Sequence, residues 1–252
     1  MPLPETRQKS LNDLIARVAQ GDRHAFDALY QATSAPLNAL CLSVLKDRRE
    51  AEETLEQVYI AVWKEAARFP DSGLSPMGWM VTQTRDRAMD RSHGVTPATA
   101  LAGHRPDADA LDLVRIAYLE GLDYPRLAAR QGISADEARH LLHEGLERLA
   151  GHAAEEGASL AAAEQALGLR TGEPLDRALL ADWQERLARL ADGLTPVMAP
   201  ARARQRIREH LGHGTAPLSV DPLQRAPRWR GPLGIIVAIL LIAAAAWYLM
   251  SR

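Results

Sequence analysis

The sequence is poor in cysteine and in aromatic residues, and both shortages narrow the possibilities. Cys41 is the only cysteine among 252 residues, so the chain can form neither an internal disulfide nor a thiolate metal site. Aromatic residues make up 5%, and no stretch alternates apolar with polar side chains as a half-buried strand does. Alanine, leucine, arginine and glutamate dominate, which favours helix. We therefore expect an all-α protein in a reducing compartment, with Cys41 buried as a small apolar side chain.

Motifs for catalysis and for metal binding are also missing. The sequence contains no phosphate-binding loop of the GxxxxGK[ST] type, no HExxH and no GxSxG. The closest histidine pairs are His140 with His143 and His210 with His213, and the sequence identifies no further ligands for either. The sequence therefore predicts a protein that is not an enzyme and that holds no metal or cofactor.

Charge is absent from one long run near the C-terminus. Residues 233–250 are 18 residues without a charged side chain. As a helix they would extend about 27 Å, which matches the apolar core of a bilayer. Trp229 lies before the run and Trp247 near its far end, where interfacial aromatic residues are expected. The sequence thus predicts a single transmembrane helix.

The orientation of this helix follows from the flanking charges. Three arginines lie within residues 213–232, which we interpret as a juxtamembrane linker, and one arginine follows the helix. The positive-inside rule places the N-terminal body in the cytoplasm, at the inner face of a bacterial membrane. The first ten residues contain no apolar run, so we expect no signal peptide. With two residues after the helix, we expect no external sensor domain.

Apolar residues recur at helical spacing through the first block, residues 10–91. Four such stripes predict four helices, and Ser75 followed by Pro76 marks the start of the last one. Residues 92–109 are rich in glycine, proline and small side chains, which indicates a linker.

The second block, residues 110–150, has the pattern of a helix-turn-helix. Gly132 supplies the turn, and Ser134 with Glu137 forms a capping box that opens the second helix. Leu127 and Ala128 of the first helix are predicted to face the core.

Both blocks resemble extracytoplasmic-function (ECF) sigma factors. The matching segments are GDRHAFDALY (21–30), DRREAEE (47–53), VYIAVW (58–63), GWMVT (78–82), RDRAMDR (85–91) and YLEGLDY (118–124). This resemblance implies that residues 1–91 bind RNA polymerase core and melt promoter DNA. It implies that the second block reads the upstream promoter element.

The resemblance also assigns residues to these partners. The residues that would face the polymerase are Glu50, Glu53, Glu56, Gln57 and Trp63. Those that would lie towards DNA are Trp79, Thr82, Arg85, Arg87 and Arg91 in the first block, and Ser134, Glu137, Arg139 and His143 in the second. Core packing is the alternative for both tryptophans, and a solvated helix face is the alternative for the acids.

The charge of the second helix of the helix-turn-helix works against DNA binding. Residues 134–150 hold two arginines against four acidic residues, a net formal charge of −2. Phosphate contacts from Lys and Arg supply much of the affinity for DNA, and an acidic helix repels the duplex. A second function therefore stays open: a degenerate sigma-like protein that reads no promoter and acts as an anti-sigma or regulatory binding protein.

A third segment, residues 158–212, resembles the cytoplasmic part of membrane-bound anti-sigma factors. The similarity lies in ALGL (166–169), WQERLARL (183–190) and ADGLTPV (191–197). An apolar stripe suits docking on a partner domain, or packing within the segment alone; it consists of Leu180, Trp183, Leu187 and Leu190. We interpret the four arginines between 202 and 208 as a solvated or juxtamembrane face rather than a nucleic-acid patch.

The order of these segments predicts the function. Sigma-like domains, an anti-sigma-like segment and one membrane helix together indicate a membrane-tethered ECF-type sigma factor fused to its own anti-sigma-like segment. The expected partners are RNA polymerase core, promoter DNA, the membrane, and a sigma to anti-sigma contact within the chain or with another protein.

Overall fold

The computed structural model describes residues 5–92, 109–151, 156–170, 172 and 176–212. Its α-helices, in chain order, are α1 (Glu5–Ala19), α2 (Arg23–Leu45), α3 (Arg48–Glu65), α4 (Pro76–Ser92), α5 (Ala110–Glu120), α6 (Tyr124–Gln131), α7 (Ala135–Ala150), α8 (Glu156–Ala166), α9 (Arg177–Ala188) and α10 (Ala201–His210). Two 3₁₀ segments, Ala66–Ser72 and Arg189–Gly193, follow α3 and α9. The described residues contain no strand, which confirms the all-α prediction.

Helices α1–α4 form the first block and correspond to the four predicted stripes. Each helix buries its apolar side against the others, and Ile15, Leu29, Val58 and Met80 are fully enclosed. Cys41 is also fully buried, as expected.

The start of α4 follows the predicted signal. Helix α4 begins at Pro76, and the hydroxyl of Ser75 accepts a hydrogen bond of 3.0 Å from the amide of Gly78. The hydroxyl thereby satisfies one of the amides that a helix start leaves without an intrahelical partner.

Helix α2 contains a proline, and the chain compensates for it. Pro36 has no amide hydrogen for the carbonyl of Ala32, one turn earlier. The guanidinium of Arg7 in α1 donates to that carbonyl over 3.4 Å.

A strap, defined as residues 194–200, crosses α2 in the same region. The amide of Val197 donates to the carbonyl of Ala35 over 3.2 Å.

Helices α5–α7 form the second block and include the predicted helix-turn-helix. Gly132 ends α6 with a positive φ of 71°, the left-handed conformation that glycine adopts without strain. Leu127 and Ala128 are buried, as predicted. Helix α7 packs closely on α5, because a Cβ atom at Gly145 would lie 2.2 Å from the carbonyl oxygen of Ala110.

The C-terminal segment, defined as α8–α10 with the strap, packs on both blocks. Helix α8 contacts α7, α9 contacts α4 and α8, and α10 contacts α3. The buried side chains of both blocks and of the segment belong to one continuous apolar core.

The predicted docking stripe on α9 takes part in this core. Trp183 and Leu187 are buried, and Leu180 and Leu190 pack against the core while partly exposed. The indole Nε1 of Trp183 donates to the hydroxyl of Ser159 in α8 over 3.1 Å. Since α9 contacts both α4 and α8, it packs within its own segment and on the first block.

Three predicted segments lie outside the described residues: the linker 92–109 apart from its two end residues, the juxtamembrane linker 213–232, and the membrane helix 233–250. In the part of the chain that the structure describes, no helix has the length and apolarity needed to cross a bilayer.

Candidate functional site

The residues expected to face the polymerase lie mainly on one side of α3. Asp47 caps this helix, and its carboxylate accepts hydrogen bonds of 2.9 Å from the amides of Arg49 and Glu50. A spacing of three residues then aligns Glu50, Glu53 and Glu56 along the helix. Gln57, next to Glu56, is exposed.

Trp63 lies about two turns further along α3. It is partly buried, and its ring meets that of Phe26 edge-on at a centroid distance of 5.4 Å. This contact with Phe26 is of the kind that the core-packing alternative describes.

Helix α10 covers part of this acidic side. Arg206 reaches Glu56, with Nε 2.8 Å from Oε1. Arg202 and Arg206 both bind Glu52, and Nε of Arg202 lies 2.6 Å and 2.8 Å from its two carboxylate oxygens. Glu52 is 2% exposed. This carboxylate was missed by the sequence reasoning, because α3 offers several acids and nothing in the sequence marks the one that arginines enclose.

A second row of arginines on α10 meets α2. Arg204 lies 3.4 Å from Asp27, and Arg208 forms hydrogen bonds with the same carboxylate. Between the two rows, Ala203 and Ile207 are buried at 0% and 1% exposure. The prediction that these arginines form a solvated face is confirmed only in part, because Arg202 and Arg206 are exposed but all four arginines also bind acids. They bind acids on α2 and α3 on both sides of an apolar ridge.

These contacts change how the acids titrate. Hydrogen bonding from Arg202, followed by that from Arg206, holds the pKa of Glu52 below its usual value. For Asp27 burial acts in the opposite direction, but the bonds and charges of Arg208 and Arg204 together lower its pKa. Burial raises the pKa of Glu56.

Five residues of α4 were expected to lie towards DNA, and four of them, all except Arg85, are partly buried or make contacts close by within the first block. Trp79 is 5% exposed and packs on Phe69, with ring centroids 5.4 Å apart. Thr82 is partly buried. Arg87 donates to the side chain of Gln83 over 2.8 Å, and Arg91 binds Glu53.

Arg85 is the most enclosed of the predicted DNA residues, at 2% exposure. Its Nε donates to the carbonyl of Tyr118 over 3.0 Å, and its Nη2 donates to the carbonyl of Leu167 over 2.6 Å. A longer bond of 3.5 Å joins Nη1 to the carbonyl of Ala166. Its guanidinium stacks on the Tyr118 ring, 4.5 Å from the centroid. Arg85 therefore joins the first block, the second block and α8.

In the second block, the predicted residues occupy the start and middle of α7. Ser134 caps α7, Glu137 is exposed, and the guanidinium of exposed Arg139 lies 5.0 Å from the Tyr124 ring centroid. His143 is covered instead: its Nε2 lies 3.0 Å from Oε1 of Glu164 in α8.

Tyr124 completes the cluster with His143 and Glu164. Its hydroxyl lies 3.0 Å from Nε2 of His143 and donates to Glu164 over 2.7 Å. Burial, followed by the bond to Glu164, raises the pKa of Tyr124. Helix α8 thus reaches across one predicted DNA contact and leaves the N-terminal turn of α7 uncovered.

Glu185 of α9 is a further functional candidate that the sequence reasoning missed. Its carboxylate accepts hydrogen bonds from the amide of Ser75 over 3.1 Å and from the Ser75 hydroxyl over 2.8 Å. It therefore sits at the start of α4, where amides without helical partners favour an anion. A Cβ atom at Gly78 would lie 2.0 Å from Oε2 of Glu185, so glycine makes room for the contact. The Ser75–Pro76 helix start could have indicated an anion site, although not its occupant.

No group of three or more His, Cys, Asp or Glu side chains within the described ranges is arranged to hold a metal ion.

Known proteins similar to this chain are ECF RNA polymerase sigma factors. The ECF RNA polymerase sigma factor SigK of Mycobacterium ulcerans (strain Agy99) is 26% identical over 177 residues, which cover 58% of this chain and 95% of that protein. SigK of Mycolicibacterium vanbaalenii is 28% identical over 170 residues, 55% of this chain and 87% of that protein. SigK of Mycobacterium bovis (strain BCG / Pasteur 1173P2) is 34% identical over 88 residues, 35% and 47% of the two chains. No family model matches the chain.

These similarities support ECF-type sigma domains in the chain. They agree with the expectation that it is not an enzyme, since sigma factors are not enzymes. The first alignment uses nearly all of its sigma factor but 58% of this chain. This chain therefore contains residues beyond those of a whole sigma factor of that kind.

Proposed function

We propose that the chain is a membrane-tethered ECF-type RNA polymerase sigma factor fused to its own anti-sigma-like segment. Its partners are RNA polymerase core and promoter DNA. The observation that carries the proposal is the contact of α10 with α3, in which Arg202 and Arg206 bind Glu52 and Arg206 also binds Glu56. Glu56 is one of the acids that the resemblance assigns to the polymerase.

The other contacts of the C-terminal segment support an inhibitory role in the same way. Arg85 donates to the end of α8, and His143 contacts Glu164 of α8. One segment thereby occupies a predicted polymerase contact and predicted DNA contacts in both blocks. In this arrangement, which we call the closed state, the sigma-like blocks cannot use those side chains for other partners.

The charges of α10 also suit this role. A surface with acids on α2 and α3 attracts a helix with arginines on two rows, and the charge-assisted hydrogen bonds fix its orientation. When α10 leaves, Glu52, Glu56 and Asp27 become available to a basic surface of another protein. We infer that polymerase binding and α10 docking exclude each other.

A charge-reversal variant of the full chain tests this proposal. Arg202→Glu with Arg206→Glu places acid against acid at Glu52 and should release α10. We expect this variant to bind core polymerase at least about tenfold more tightly than the parent, which corresponds to ~1.4 kcal/mol, and to initiate transcription from promoters selected by the released protein.

The control is Arg177→Glu, which reverses a charge at an exposed position of the same segment. It should bind polymerase like the parent. Equal binding by the release variant and the parent would contradict inhibition by α10. Tighter binding without any promoter-specific transcription would instead favour the degenerate sigma-like protein that the acidic α7 left open.

A further inference from the structure

The buried guanidinium of Arg85 lies where three parts of the chain meet. It belongs to α4 of the first block, and its three hydrogen bonds go to backbone carbonyls of the other two parts. Tyr118 is in the last turn of α5, Ala166 is the last residue of α8, and Leu167 follows it. The acceptors are therefore located at two helix C-termini.

Helix C-termini are suitable partners for a buried cation. Their last carbonyls have no intrahelical donor and carry the negative end of the helix dipole. A guanidinium offers five donors in a fixed planar fork, so one side chain can serve both ends at once. Burial lowers the pKa of Arg85, but arginine keeps its proton in proteins.

Removing either helix end from this site would leave part of a buried charge without partners. A buried charged group without hydrogen-bond partners destabilises the fold by more than a hydrogen bond between exposed groups stabilises it. Once α8 departs, water enters and the remaining bond to Tyr118 loses its low-dielectric surroundings. Departure of α8 therefore weakens the hold of α4 on α5, and the reverse is equally true.

We propose that Arg85 couples release of the C-terminal segment to separation of the first and second blocks, so that both occur as one event. The regulatory meaning of this coupling rests on the proposed function. The coupling itself is measurable without polymerase or DNA. An experiment can therefore disprove the coupling without disproving the proposed sigma-factor function, and the reverse.

Each interface also has contacts of its own, and these make the coupling testable. The hydroxyl of Ser43 donates to the carbonyl of Leu119 over 2.7 Å, which holds α5 on α2. Glu185 holds α9 on the start of α4. Without Arg85, both interfaces should still form, but each should open independently.

Two donor and acceptor dye pairs on the full chain in mild detergent follow the two openings. One pair, at Asp90→Cys and Asp112→Cys, reports on α4 against α5. The other, at Asp90→Cys and Arg170→Cys, reports on α4 against the end of α8. All three positions are exposed. Cys41 can stay, because it is fully buried and burial raises its pKa to about 12, so it is not a thiolate at neutral pH.

In a urea titration the parent should lose energy transfer in both pairs at the same midpoint. In Arg85→Gln the two urea midpoints should lie about 1 M apart. The reason is that the substitution removes one hydrogen bond from the interface with α5 but two from the interface with α8, so the two interfaces lose unequal stability. Arg85→Lys keeps the charge but not the fork, and it should also separate the midpoints. Arg87→Gln, which loses bonds to Gln83 in its own helix and an ion pair with Glu65 in the same block, should keep them equal.

Separate midpoints in the parent would overturn the proposal. Equal midpoints in Arg85→Gln would overturn it as well, because the interfaces would then be coupled through the rest of the core. Equal midpoints in Arg85→Lys would overturn the role assigned to the fork.

Discussion

At the scale of single residues, one buried carboxylate, that of Glu52, stands out among the acids that hold α10 in the closed state. Glu52 is 2% exposed, whereas the side chains of Arg202 and Arg206 are 69% and 45% exposed. The arginines can therefore return to water when α10 leaves, while Glu52 must be solvated anew or find another cation. This asymmetry makes Glu52 a sensitive point of the interface, because a neutral side chain there would remove most of the reason for the arginines to stay.

The lowered pKa values of Glu52 and Asp27 predict a pH dependence for α10 docking. Both carboxyls have a lower pKa in the folded protein than their usual values of 4.5 and 3.8. Their contribution is complete above those usual values and is lost as the pH falls through the folded-state pKa values. We expect α10 to detach as the pH falls below these usual values, visible as a lower protection factor of the Ile207 amide, that is, faster hydrogen exchange relative to the intrinsic rate at the same pH.

Glu56, whose pKa is raised by burial, has the opposite effect on docking at low pH. Protonation of Glu56 removes a buried charge from the docked state, so it offsets part of the weakening caused by protonation of Glu52 and Asp27. The variant Arg202→Gln with Arg206→Gln removes the cause of the low pKa of Glu52. Its exchange at Ile207, relative to that of the parent, should depend less on pH. An equal pH dependence in both proteins would contradict the assignment of the effect to Glu52.

At the scale of elements, docking of α9 on α4 depends on the space that Gly78 leaves. Alanine inside a helix is favoured over glycine by about 1 kcal/mol, so Gly78→Ala should stabilise α4 by itself. In the closed state, however, the new Cβ would lie 2.0 Å from Oε2 of Glu185, so this carboxylate would have to move away from the Ser75 amide and hydroxyl that it binds. We expect Gly78→Ala to lower the free energy of unfolding of the full chain, as measured by urea denaturation.

The control is the same substitution in a Glu185→Ala background. There the carboxylate is gone, and Gly78→Ala should be neutral or should stabilise by up to about 1 kcal/mol. The difference between the two backgrounds measures the contact itself. If the substitution had the same effect in both, Glu185 would not occupy the space beside Gly78 in solution.

The elements themselves could be predicted from the sequence, whereas their docking could not. Leu11, Ile15 and Val18 recur at helical spacing, and the Ser75–Pro76 pair is a local signal for a helix start, so both predictions needed only neighbouring residues. The partner of Arg206 lies 154 residues earlier in the chain. Charge alone does not select one acid among many at such a distance, and this is why the arginines of α10 were assigned to solvent.

Arg85 shows the same limit for the candidate site. Its acceptors are backbone carbonyls, and every residue has one. Only the positions of α5 and α8 in space reveal that two helix ends converge on this side chain. The resemblance to sigma factors predicts that Arg85 lies towards DNA. This remains a prediction, and it applies to a state in which α8 no longer covers Arg85.

At the scale of the whole molecule, the proposed tether makes a prediction about location. The full chain should sediment with membranes, resist extraction by high salt, and dissolve in detergent. A variant with Ile239→Arg and Leu241→Arg places two charges in the run 233–250, each costing about 2.5–3.5 kcal/mol at the centre of a bilayer. This variant should move to the soluble fraction. Recovery of the unchanged chain in the soluble fraction would contradict the tether.

The strap adds a kinetic consequence to this arrangement. Seven residues, 194–200, join the 3₁₀ segment after α9 to α10, so a detached α10 can travel at most about 25 Å. Its local concentration near Glu52 is then of millimolar order, and chain segments of this size meet again within about 10–100 ns. A competitor at ~1 μM arrives only about 0.1–10 times per second. Spontaneous detachment is therefore reversed long before a competitor arrives, and lasting activation requires an event that keeps α10 away.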